Sequence, residues 1–239
     1  MKQKKMKQPL MRQSHLPMIL LGAAMTLYGL VGALVWSVIS SQAMRGVITA
    51  GQLRMRLQAY EDTGGLIAGI VFFILFVWCA VASRHGPRAA FIVGAFASFA
   101  PILAGRADDL LFGTLKLVLP AGSVIAGALT TLVFTLPMVI AFIILASSGR
   151  VPRSCRWVAF ATIFLVLVTA FFPIYVTILA FLLNPGDPAV GRMLEISTNV
   201  IKLRYLLPGL SLLFMAYLSI RFAKKQQPAD PAKIAPKEK

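Results

Sequence analysis

Asp108 and Asp109 form an acidic pair just beyond the end of an apolar run. Adjacent carboxylates can hold Mg²⁺ against a substrate phosphate. Here Leu110 and Leu111 follow them, and acids in that position also serve to begin an interfacial helix, where they meet the positive end of its dipole. The two histidines, His15 and His85, lie outside every apolar run. No run therefore holds the base that intramembrane Ser–His chemistry needs, and no HExxH motif is present. Cys79 and Cys155 stand alone, without a CxxC or Cys/His cluster. The expectation is no catalytic residue, no metal and no cofactor.

The remaining polar atoms within the apolar runs are hydroxyls. Thr130, Thr131 and Thr135 precede Pro137, and Tyr175 and Thr177 follow Pro173. Proline removes a backbone hydrogen bond and bends a helix, and hydroxyls can satisfy the carbonyls it frees. The structural role of these five residues is thus to heal two kinks. The functional alternative is that two kinked helices line a pocket or pore, with Thr131 and Tyr175 facing a neutral or amphiphilic substrate.

The elements that would position these groups are six apolar runs: 17–40, 64–83, 89–104, 118–148, 157–183 and 205–223. A membrane-crossing helix needs about 20 apolar residues; the third run is short of this. The runs are continuous rather than alternating, which argues for helices over strands. The first resembles a signal peptide, with Lys2, Lys4, Lys5, Lys7 and Arg12 ahead of it, but it exceeds the roughly 7–15 residues of a signal core. It reads as an uncleaved span. The fold expected is all-α: a polytopic membrane bundle of six transmembrane helices in three hairpins, with interfacial helices in the outer loops.

Charge gives the orientation. With the N-terminus inside, sixteen of the 24 Lys and Arg residues fall in inner segments, while six of the eight acids fall outside. This is the positive-inside pattern of a bacterial-type inner membrane protein with both termini in the cytoplasm. The net charge of +16 is thereby a topology signal, helped by attraction to anionic lipid. No nucleic-acid partner is needed to explain it.

Residues 1–16 and 224–239 read as basic cytoplasmic tails without fixed structure; the span between them, 17–223, is one membrane domain. Ser41–Tyr60 and a stripe through Met193, Ile196, Val200, Leu203 and Leu207 suggest amphipathic helices at the outer surface. Pro208-Gly209 should break the second of these before the last span. The three outer segments also resemble one another weakly, consistent with a hairpin repeat. Small residues mark close helix contacts in lipid. They recur on one face as Gly22, Thr26, Gly29 and Ala33 in the first run, Gly94 and Ser98 in the third, and Gly127 in the fourth. The fifth run is lined with large side chains. Spans one, three and four should therefore pack centrally and span five peripherally.

No ionisable residue sits in the middle of a run, which disfavours an ion-coupled transporter. The function expected is a non-enzymatic membrane subunit of a larger envelope assembly for secretion, export or lipid handling. Its partners would be membrane lipids and other membrane or periplasmic proteins. The alternative is a permease or substrate-binding transport subunit.

Overall fold

The computed structural model describes residues 10–11, 14–99, 122–149, 151–182 and 203–226. Among them it is all-helical. The elements are α1 (Leu16–Met44), α2 (Ala50–Ala82), α3 (His85–Ala97), α4 (Gly122–Ser147), α5 (Arg153–Leu182) and α6 (Leu203–Gln226). Four of these helices, α1, α2, α5 and α6, are long and apolar enough to cross a membrane. The shorter α3 and the apolar stretch Thr135–Ser147 of α4 complete the described set.

Each helix packs on its neighbours in the chain, and α1 closes the ring against α6. None of the described helices sits at the centre. The small-residue face of α1 packs against α6, where the sequence had suggested α3 and α4. A Cβ added at Gly22 would stand 2.9 Å from the Gly209 carbonyl oxygen, and one at Gly29 would stand 2.8 Å from the Leu206 backbone nitrogen. A Cβ at Gly209 would meet the Thr26 nitrogen at 2.6 Å. Glycine is required there because the two backbones touch. Thr26 spends its hydroxyl on the Gly22 carbonyl at 2.7 Å, so it adds no polar demand to the seam.

Two expectations about the loops are corrected. Ser41–Tyr60 is not a separate interfacial helix. Residues 41–44 finish α1, a tight turn follows at Gly46 (φ 70), and Thr49 caps α2, which then runs unbroken for 33 residues. The Thr49 hydroxyl accepts from the Gln52 backbone while the Gln52 side chain accepts from the Thr49 backbone. This reciprocal cap satisfies two otherwise orphaned donors and starts the helix firmly. Pro208 likewise fails to break the chain: α6 passes straight through it. The proline lies in the second turn, where a single hydrogen bond is forgone, and Gly209 beside it is used for contact with α1. The expected helices around Asp108-Asp109 and 192–202 lie outside the described residues, as do the C-terminal residues 227–239.

Inside the ring the contacts are apolar. Met18, Met25, Phe72, Phe76, Phe91, Phe142 and Met215 are buried in one continuous core cluster. At the α1, α2 and α6 side an aromatic group joins three helices. Tyr28 stands edge-on to Phe72 and Tyr205, with ring centres 5.8 and 5.2 Å away, and stacks with Tyr60 at 6.4 Å. Such pairs add a modest directional term to area burial.

Candidate functional site

One end of the ring, here the basal end, collects the starts of α1, α3 and α5 and the ends of α2, α4 and α6. It is closed by the chain's own N-terminal segment. Leu10 and Met11 are 0% and 1% exposed and belong to the core cluster. The Leu10 N–H donates to Ser219 Oγ on α6 at 2.9 Å, and its carbonyl accepts from the Arg84 N–H at 3.4 Å. Met11 pairs with Ser83 as an isolated antiparallel bridge. His15 Nε2 also reaches Ser219 Oγ, at 2.8 Å. Two elements thus hold these residues of the tail, α6 and the turn between α2 and α3, and His15 shares the same serine. The unstructured N-terminal tail expected from composition is corrected at this point. The signal was present, since Pro9-Leu10-Met11 is an apolar island among lysines, and burial of each large side chain is worth about 1.5–3 kcal/mol.

Ser219 differs from the other buried hydroxyls. Ser83, Ser98, Thr162 and Thr169 each donate back to a carbonyl of their own helix, at Ala80, Ala95, Val158 and Val166. Hydroxyls in apolar surroundings normally do this. Ser219, wholly buried, instead takes the two tail contacts. Burial also lowers the pKa of His15 from its ordinary 6.5, because desolvation penalises the imidazolium. The neutral ring can accept the Ser219 O–H while Ser219 accepts the Leu10 N–H, so one hydroxyl serves both groups.

Beside this seal, the first turns of α5 form a second feature. Arg153, Arg156, Trp157 and Phe160 line a half-open hollow of about 140 Å³. Cys155, on the opposite side of the same turns, is buried and donates to the Met215 carbonyl at 3.7 Å. Neither Cys155 nor Cys79 has a cysteine partner.

Of the hydroxyls singled out in the sequence, the side chains of Thr135 and Tyr175 are described. Thr135 is 4% exposed while Tyr175 is 61% exposed, on the outward face of α5 that also carries Phe164 and Phe171. The side chains of Thr130, Thr131, Thr177 and Gly127 lie outside the described residues. Among the packing residues, Gly22, Thr26 and Gly29 form the α1–α6 seam. Ala33 is half-buried farther along α1. Gly94 of α3 lies under the Phe76 ring of α2, and Ser98 ends α3 with its hydroxyl on Ala95. Among the described residues, no three His, Cys, Asp or Glu side chains group as metal ligands.

No family model, curated protein or solved structure matches the chain. The reading of function therefore rests on the geometry alone: an apolar core cluster among the described residues, a basal seal made by the tail, and a basic, aromatic hollow next to it.

Proposed function

We propose that this protein is a six-span integral membrane protein of the bacterial inner-membrane type, with both termini cytoplasmic. In this reading it acts as a non-enzymatic subunit of a larger envelope assembly. The observation that carries the subunit reading is the apolar, closed interior. Large side chains fill the ring, and the tail is inserted at its basal end. A conduit for polar solutes needs polar lining or water-filled space along its length. Of the buried hydroxyls described, Ser83, Ser98, Thr162 and Thr169 donate to carbonyls of their own helices, and Ser219 holds the tail.

The orientation is supported by the charge asymmetry together with the basal end. The N-terminal segment, the α2–α3 and α4–α5 connections and the end of α6 all meet there, and these carry Arg84, Arg88, Arg153, Arg156, Arg221 and Lys224. The positive-inside rule then assigns that end to the cytoplasm.

The test is affinity purification of the tagged protein from its native membrane in mild detergent, followed by mass spectrometry. A stoichiometric set of envelope proteins is the expected result, and their identities name the process. A lone monomer that yields no crosslinked neighbour in intact cells would overturn the subunit reading.

A further inference from the structure

We propose that the hollow at the start of α5 is a binding site for the headgroup of an anionic phospholipid. The inference rests on the membrane reading above and is independent of the assembly. Arg153, Arg156, Trp157 and Phe160 recur at helical spacing, so they share one face of α5 over about 10 Å. That rise reaches from the headgroup region of a bilayer, about 5–7.5 Å thick on each side, into the upper acyl chains.

The residue types follow the same order. Arg153 is exposed at the outermost turn. Trp157 is 63% exposed, an indole whose amphipathic ring suits the interface between headgroup and hydrocarbon. Phe160, 54% exposed, extends the face into the apolar zone. The walls of the hollow are mostly carbon, from the rings and the stems of two arginines. A free phosphate would find little to bind on such walls. A glycerophospholipid places its glycerol and upper chain against carbon and its phosphate against the fork of an arginine.

Two further observations point to a ligand. Arg156 Nε is wholly buried and has no hydrogen-bond partner among the described residues. A buried polar donor of that kind calls for an acceptor. No carboxylate is described at the basal end either; the acid whose side chain is described, Asp62, lies toward the other end of α2. The paired positive charge is therefore uncompensated by any described side chain and favours a headgroup with net negative charge over a zwitterionic one.

The experiment is native mass spectrometry of the full chain in mild detergent, titrated separately with phosphatidylglycerol, phosphatidylcholine and inorganic phosphate. One phosphatidylglycerol should be retained, roughly tenfold or more tighter than phosphatidylcholine. The R153Q/R156Q protein should lose that difference, whereas R221Q, at the same end but outside the hollow, should keep it. If R153Q/R156Q does not purify as a single species, R153Q alone decides. Its side chain is exposed, and it should weaken retention several-fold. Unchanged retention in the arginine variants, or equal retention of both lipids, would overturn the site. Displacement by millimolar inorganic phosphate would make it a soluble-anion site and overturn the lipid assignment. Envelope partners are scored in the affinity purification, so loss of either result leaves the other standing.

Discussion

The seam between α1 and α6 and the outward face of α5 use opposite residues for opposite purposes. At the seam, Gly22, Gly29 and Gly209 bring two backbones together until a single added Cβ would collide. On α5, Trp157, Phe160, Phe164, Phe171 and Tyr175 all point away from the ring. In water the aromatic face would be the buried one. In lipid, apolar size carries no such information, because hydrocarbon outside is as good a solvent as protein inside. What marks a contact is the freedom to approach closely.

The sharpest way to break this contrast is to add atoms at the seam. Gly209→Val should lower stability by about 3 kcal/mol or more, since the obstacle is backbone and cannot step aside. Thermal unfolding in detergent, read by loss of the monodisperse peak, measures it. Gly149→Ala is the matched control, because nothing lies within 4 Å of that position. Its effect should stay within about 0.5 kcal/mol.

Removing one atom at the basal seal comes next. Ser219→Ala strands the Leu10 N–H and the His15 ring, a loss of about 1–3 kcal/mol. It should also speed tryptic cleavage at Arg12, followed by N-terminal sequencing. Cleavage at the wild-type rate would mean that the tail is held by its apolar contacts alone.

A smaller effect is expected from pH. The folded His15 pKa lies below the unfolded value of 6.5, so the unfolded chain takes up its proton first. The seal is at full strength above pH 6.5 and weakens as pH falls from there toward the lowered folded pKa. Below that the loss is constant. Tail protection from trypsin should decline over this window in the wild type, and His15→Gln should flatten the profile.

The smallest effect belongs to the aromatic face. Phe164→Ala should change the stability of the isolated protein by no more than about 0.5 kcal/mol. A large loss would show that this face is covered, and the contrast with the seam would fail.

Much of the helical frame was legible in the residues. Continuous apolar runs report where a chain crosses lipid because each backbone polar group must be satisfied within its own helix. The four long apolar helices fall on runs read from the sequence. Gly22 and Gly29 were legible as a contact face, but not its partner. Spacing fixes which residues share a side of a helix, while the opposing helix is set by how the ring closes. Pro208 misled for a similar reason: a local rule against proline was outweighed by the packing of Gly209. For the hydroxyls before Pro137 and after Pro173, the sequence does not reveal azimuth, and only two of these side chains are described. Thr135 turned inward and Tyr175 outward. Leu10 and Met11 were hidden because composition averages over a window, and two apolar residues among five basic ones vanish in it.

The seal has a consequence for how the protein is made. Leu10 is made well before Ser219, its hydrogen-bond partner 209 residues farther along the chain. The seat for Leu10 and Met11 does not exist until α6 has been made and inserted. During synthesis these two residues must wait, unpaired, while the described helices that precede α6 assemble beside them. A nascent chain released before α6 would display Leu10 and Met11 with nowhere to put them, a hydrophobic flag by which quality control could tell an unfinished molecule from a complete one.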